Sequence, residues 1–517
     1  MEILRFRCRE GEWEMEQKRR TIITTALMLA MFISAIEVTI VNAAMPTVVG
    51  QLGGISLYSW VFSAYMLANT TTVPIYGKLA DLYGRKPVFI IAILLFITGS
   101  ALCGLAQSMS QLVFFRALQG LGAGGVLPIA ITIIGDIFPF EVRAKIQGWF
   151  SSVWGLAAIM GPFLGGWTVQ HFSWRWLFWF NLPLGLIIIA IIALYLPRKE
   201  ERSFERIDYT GATLLSFTAI TFLFTTLVLG EKGFFYLPAW GLLILALILL
   251  VMFILWERRV EHPFLPITLF KNRMIASSNL SAFLTGMGMF GAISFVPLFV
   301  QGVLGKSPTL AGLAITPQVV GWSVASVICG RWVLRSGYRP PIILGVLMVT
   351  GAAVLILQMN AHTAYPWVLV AMLILGFGLG LSMTAYIIAV QNAVQTNERG
   401  AATSSQMFSR SMGGTIGVSI LGAVMTFRMK EEIEQYIYSH QNELSQETIG
   451  QLRQAEGITT PEGLAALPQT VADLAPSFLA QALDTTFLTA SFFTLLALIV
   501  AFWLVPKGSA QSFAVKE

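Results

Sequence analysis

A glutamate set in an apolar run is the first group in this sequence able to do chemistry. Glu37 lies in Ile36-Glu-Val-Thr-Ile-Val-Asn42-Ala-Ala-Met-Pro46, and hydropathy makes it the one acidic residue well inside a stretch long enough to cross a bilayer. A charged side chain at that depth costs about 2.5–3.5 kcal/mol on insertion scales, so it must line a cavity or find a partner or a proton. Burial favours the protonated carboxyl and a neighbouring cation favours the ionised one. That opposition is a coupling device, because a proton and a cationic substrate satisfy the same group and each displaces the other. The alternative is a structural carboxyl paired with Arg116 or Arg410, the two basic residues that also fall inside apolar runs. A buried arginine does not readily lose its proton, so Arg116 either tunes Glu37 or holds a polar network.

A second charged group sits in a turn, Gly77-Lys-Leu-Ala-Asp81-Leu-Tyr-Gly84-Arg85-Lys86-Pro87. Asp81 and Arg85 stand at i, i+4 spacing and can pair, with Asp136 as a second carboxylate within reach. Gly77 and Gly84 let the backbone turn tightly, and Pro87 suits the first turn of the following helix. Small residues form a third group: Gly148, Ala157, Gly161, Pro162, Gly165 and Gly166. Gly161 and Gly165 are four apart and make a smooth stripe that another helix can approach, with a bend at Pro162.

The elements that must hold these groups are membrane helices. The chain has 517 residues, 56% hydrophobic and 12% charged, against about 25% charged in a soluble domain. About 20 apolar residues span the hydrocarbon core, and such runs recur near 22–46, 58–80, 87–106, 110–135, 145–168, 176–196, 209–229, 237–256, 276–300, 308–330, 341–359, 365–390, 402–427 and 485–506. These fourteen runs are too long and too continuous for barrel strands. With both termini in the cytoplasm, 25 of the 33 Lys and Arg fall on the inner side, 6 outside and 2 within spans, as the positive-inside rule requires. No cleavable signal peptide precedes the first span; residues before Met15 read as an upstream start or a disordered tail. Cys8, Cys103 and Cys329 lack the spacing of a disulfide framework or a metal site.

The turn at Gly77–Pro87 has a degraded echo at Gly330-Arg-Trp-Val-Leu-Arg-Ser-Gly-Tyr-Arg-Pro340. The repeat divides the chain into a tail (1–20), a six-helix half (21–200), two additional helices (201–260), a second six-helix half (261–506) and a tail (507–517). Such duplicated halves place a cavity at their interface. The second half contains an outer loop over 428–484, whose opening, with Ile433, Tyr436 and Ile437 at helical spacing, reads as an amphipathic helix. This loop is either a solvated connection or a substrate gate.

Several of these segments resemble one family. GxLxDxxGRK is similar to the loop signature of the major facilitator superfamily, and the span-one segment around Glu37 resembles that of its fourteen-span drug:proton antiporters, which more often carry Asp there. Gly148 to Gly166 looks like the antiporter signature of its exporters, with Ala157 in place of the usual Gly. Arg116, in Leu112-Val-Phe-Phe-Arg-Ala-Leu-Gln119-Gly120, resembles a fourth-span signature tied to proton transfer. Arg410 in Phe408-Ser-Arg-Ser-Met-Gly413-Gly414 and the turn from Pro297 to Pro317 match patterns of the same group. The resemblance runs from Thr21 to about Arg428. It implies an all-α major facilitator fold with two pseudo-symmetric halves, a proton-coupling pair in Glu37 and Arg116, and a cytoplasmic gate in Gly77, Asp81, Gly84, Arg85, Lys86 and Asp136.

A greasy, adaptable cavity is expected from aromatic, methionine and polar side chains in the spans: Asn42, Tyr65, Trp154, Phe290, Phe295, Gln318, Met383, Tyr386, Gln391, Gln406, Met407 and Arg410. The sequence contains no HExxH, GxSxG or GxxxxGK[ST], and its four His are isolated. The expectation is therefore a transporter and not an enzyme, without cofactor or metal, driven by the proton gradient. It would act as a monomer in the cytoplasmic membrane on lipophilic small molecules, often cationic, and bind no nucleic acid. Export of one metabolite, lipid, siderophore or antibiotic is the alternative.

Overall fold

The computed structural model describes residues 2–52, 57–138, 171–197, 208–232, 236–260, 267–395, 398–440 and 474–506, with isolated positions among 146–169 and position 449. Thirteen long helices follow one another: α1 (Glu2–Leu52), α2 (Tyr58–Tyr83), α3 (Arg85–Leu105), α4 (Met109–Ile137), α5 (Asn181–Tyr195), α6 (Tyr209–Lys232), α7 (Leu237–Glu257), α8 (Arg273–Gly302), α9 (Thr316–Ser336), α10 (Arg339–Leu357), α11 (Tyr365–Asn392), α12 (Arg399–Ser439) and α13 (Ala475–Leu504). The described residues form no strand, and the fold is all-α as expected. Among the described residues, eleven helices are long and apolar enough to cross a membrane. α2 and α6 lie over two further expected spans, while the fifth span, 145–168, falls mostly outside the described residues.

The helices form two bundles, α1–α5 and α8–α13. The additional pair, α6 and α7, packs together at the seam, where α6 touches both α2 and α12. The bundles share a construction that depends on glycine. In α4, a Cβ on Gly120 would sit 2.4 Å from Tyr65 O of α2, and one on Gly122 would sit 2.3 Å from Phe96 N of α3. Their absence lets three backbones nearly touch. α11 repeats the device: a Cβ on Gly376 would meet Gln318 O of α9 at 2.0 Å and one on Gly378 would meet Gly345 O of α10 at 2.6 Å. The turns after α2 and α9 match as well, because Gly84 and Gly337 both take left-handed backbone, with φ 86° and 79°, a conformation glycine adopts without a Cβ penalty.

Three boundaries differ from expectation. α1 is helical from Glu2, so the expected tail continues the first span. α12 runs on past 427 to Ser439, and α13 begins at Ala475, ahead of 485. The cause of the last two is packing. Met429, Ile433 and Ile437 are buried against Phe478 and Leu479, and the Tyr436 ring lies 5.4 Å from that of Phe478. The amphipathic stretch is therefore the continuation of α12, and only the middle of the expected loop lies outside the described residues.

Candidate functional site

Glu37 and Arg116 meet, as the antiparallel run of α1 and α4 allows. Arg116 Nη1 donates to Glu37 Oε1 at 2.7 Å, and both residues are almost entirely inaccessible to solvent, at 0% and 1% exposure. The second carboxylate oxygen accepts from Asn181 Nδ2 at 2.6 Å. Asn181 stands at the start of α5 and also donates to Ser100 Oγ of α3 at 2.9 Å. Arg116 further reaches Gln119 Oε1 at 2.8 Å and Val61 O of α2 at 3.3 Å, and lies 4.2 Å from the Tyr65 ring centroid. Five helices thus converge on one ion pair.

Such a pair in low dielectric persists only when its remaining hydrogen-bonding positions are filled, and here neighbouring helices fill them. Glu37 was expected either to line the cavity or to pair with Arg116 or Arg410; it is buried in the N-terminal bundle, paired with Arg116, with Asn181 on its other oxygen. Asn181, Gln119 and Ser100 were not singled out from the sequence. The available signal was a lone polar residue at the head of an otherwise apolar span, Phe180-Asn181-Leu-Pro183. Asn181→Leu is expected to remove about 1–3 kcal/mol by leaving Glu37 Oε2 without its donor, read as a lower Tm of the detergent-solubilised protein. An unchanged Tm would show that Asn181 does not support the pair.

The second constellation ties the bundles together at one end, where α2 turns into α3 and α12 begins. Arg85 Nη1 contacts Asp81 Oδ1 at 2.5 Å, and its Nε contacts Asp136 Oδ2 at 3.2 Å. The expected pairings are present. Asp81 in addition accepts from the backbone N–H groups of Gly400 (3.1 Å) and Ala401 (2.7 Å). These are the first amides of α12, unsatisfied within the helix and at the positive end of its dipole, where a carboxylate is favoured. Arg399 Nη1 lies 3.6 Å from Asp136 Oδ1. Gly77 and Gly400 permit the contact, since a Cβ on Gly400 would stand 2.6 Å from Gly77 O. Lys86 Nζ donates to Ala193 O near the end of α5 at 2.6 Å. Gly84 supplies the turn and no contact. The residues across the seam, Arg399 to Ala401, were invisible to motif reading because they belong to the other half.

Of the expected cavity residues, Met383, Gln391, Gln406 and Met407 come together where α11 and α12 face α4. Gln406 Nε2 approaches Met383 Sδ at 3.8 Å, and Gln391 Nε2 lies 3.5 Å from both Ile131 O and Thr403 Oγ1. Met407 packs into the core of the N-terminal bundle. Phe290 lies against Gly414, while Phe295 belongs to the outer core of the C-terminal bundle. Tyr65 serves the Glu37 network. Gln318 and Tyr386 are buried; Gln318 Oε1 has no hydrogen bond, and the Tyr386 hydroxyl faces Ser281. The side chains of Asn42 and Trp154, and of Gly148, Pro162 and Gly166 in the small-residue motif, lie outside the described residues; Gly161 and Gly165 are buried.

Two like helical bundles, joined at one end by a charged latch and carrying a buried ion pair between spans, define a two-half membrane transport protein. The sequence matches the Major Facilitator Superfamily model over residues 27–418, and the chain belongs to that superfamily. It is 40% identical over 456 residues to the "Multidrug transporter protein MdtP" of Bacillus subtilis, covering 87% of this chain and 84% of the relative. It is 38% identical over 413 residues to "Multidrug resistance protein 3" of the same organism, covering 80% of each. Among solved structures, the human organic anion transporter MFSD10 (TETRAN) superposes with a TM-score of 0.63 over 93% of this chain and 99% of that one. At 15% identity that likeness speaks for the fold alone.

Proposed function

We propose that this chain is a proton-coupled antiporter that exports lipophilic small molecules, often cationic, by alternating access in the cytoplasmic membrane. It would act as a monomer of fourteen spans with both termini inside. The observation that carries the reading is the Glu37–Arg116–Asn181 network. A carboxylate held by one guanidinium and one amide is stable while ionised; once protonated it loses its hold on Arg116, and the helices that converge there are free to rearrange. The cytoplasmic latch supports the same cycle, since Asp81 binds the head of α12 only while the inner side is closed. The names of the two Bacillus relatives support transport and more than one compound as the cargo, and resistance in one of them fits export. A cationic cargo would compete with Arg116 for Glu37.

Purified protein in liposomes with an imposed pH gradient tests this reading. Wild type is expected to accumulate ethidium against its gradient, and Glu37→Gln to exchange the dye downhill without concentrating it. Normal uphill transport by Glu37→Gln would remove Glu37 from the coupling role. Wild type that moves one metabolite and no dye would favour the dedicated exporter.

A further inference from the structure

Arg410 is the transmembrane charge that neither the ion pair nor the latch absorbs. Among the described residues no hydrogen bond or ion pair reaches its guanidinium, which is half-buried. It lies eleven residues beyond Arg399, the first residue of α12. At 1.5 Å per residue that is about 16 Å, close to the middle of a hydrocarbon core of about 30 Å. Its position on the helix is equally defined: four residues beyond Gln406 and seven beyond Thr403, it shares their face. That face meets α11 through Gln391 and Met383, so Arg410 leaves α12 toward the space between the bundles and not toward lipid.

The same layer holds polar groups with nothing to bind. Gln406 Oε1 and Thr285 Oγ1 are buried without a hydrogen-bond partner, and both residues are at 0% exposure, whereas the Tyr386 hydroxyl faces Ser281. Thr285 stands about 18 Å from the cytoplasmic end of α8, level with Arg410. α8 passes close by, since a Cβ on Gly286 would lie 2.4 Å from Arg410 O. Unpaired buried hydroxyls are uncommon, and each marks a missing partner. Glu37 cannot be that partner, because Arg116 and Asn181 hold both its oxygens.

We propose that Arg410, with Thr285 of the adjoining α8, forms an anion-binding subsite between the bundles, so that the exported compounds include lipophilic bodies bearing a carboxylate, sulfonate or phosphate. A planar guanidinium offers paired donors to such groups, and the Thr285 hydroxyl is a further donor. As an assignment of cargo this rests on the efflux reading; as a binding site it does not. An anionic phospholipid headgroup presents the same chemistry, and the experiment separates the two.

Fluorescence anisotropy of fluorescein and of ethidium, titrated with the full-length protein in detergent, reads the site directly. Arg410→Gln is expected to weaken fluorescein binding about tenfold or more relative to ethidium, the loss of one charge-assisted pair. Arg410→Lys, which keeps the charge, should recover most of it. In phosphatidylcholine liposomes, fluorescein efflux should fall in the same order. Equal weakening of both dyes, an unchanged ratio, or wild type that binds ethidium and not fluorescein would each overturn the subsite. Displacement of fluorescein by added phosphatidylglycerol would assign the site to lipid and overturn the cargo. If fluorescein binding depends on Arg410 but neither dye is transported, the subsite stands and the efflux reading falls.

Discussion

Glu37→Gln should destabilise the protein by about 3–5 kcal/mol, and the double variant Glu37→Gln/Arg116→Gln by much less than the sum of the two single variants. The single change leaves the Arg116 guanidinium buried and uncompensated, the situation in which breaking an internal pair is most damaging. It also turns an acceptor into a donor: the new amide places its NH2 against either Arg116 or Asn181, both of which already donate to the carboxylate. Removing both charges relieves the first fault. A double-mutant cycle on Tm in detergent isolates the coupling. Additive single effects would show that the two residues do not act as a pair. The same cycle protects the transport experiment, because dye binding and Tm together separate an unfolded Glu37→Gln from an uncoupled one.

Gly400→Val is expected to open the latched end, which the proposed topology places in the cytoplasm. Its Cβ would stand 2.6 Å from both Gly77 O and Asp81 Oδ1, and helix backbone cannot yield as a flexible side chain does. Overpacking of this kind costs about 1–3 kcal/mol. Here the closed state bears that penalty and the open state escapes it, so the balance moves by about 5- to 150-fold. Thr403, one turn further along α12 and 1% exposed, provides the reporter. Thr403→Cys should be labelled at least about tenfold faster by a membrane-impermeant maleimide from the cytoplasmic face when Gly400→Val is present. Equal rates would mean that the contact does not hold the gate shut.

Spans and the gate motif were legible in the sequence for a simple reason: an apolar run of twenty residues and an ordered Gly-Asp-Gly-Arg turn are local patterns. The pairing of Asp81 with Arg85 and Asp136 followed from spacing. Its ties to Gly400 and Ala401 did not, because backbone amides at the head of a distant helix carry no signature in side-chain chemistry. The same limit explains Glu37. Hydropathy identified its depth, but a helix placed in lipid says nothing about which of its faces meets a neighbour, and the enclosure by Asn181 depends on how α5 is docked. The glycines of α4 illustrate the converse. Gly120, Gly122, Gly124 and Gly125 are a local cluster in the sequence, and their effect is the approach of α2 and α3, repeated in α11 by Gly376, Gly378 and Gly380.

α12 is one unbroken helix of 41 residues, about 60 Å long, with the latch at its N-terminal end and the hydrophobic clasp on α13 at its C-terminal end. Near its middle it is pressed against α8 at glycine, where a Cβ on Gly413 would lie 2.0 Å from Phe283 O and one on Gly417 would lie 2.4 Å from Met287 Cα. A stiff rod held so closely at one point behaves as a lever about that fulcrum. A tilt of about 10° would carry each end roughly 5 Å, in opposite directions. Release of Asp81 at one end and tightening or parting of Tyr436 from Phe478 at the other would then be one mechanical event, with the two gates timed by geometry and no separate signal between them.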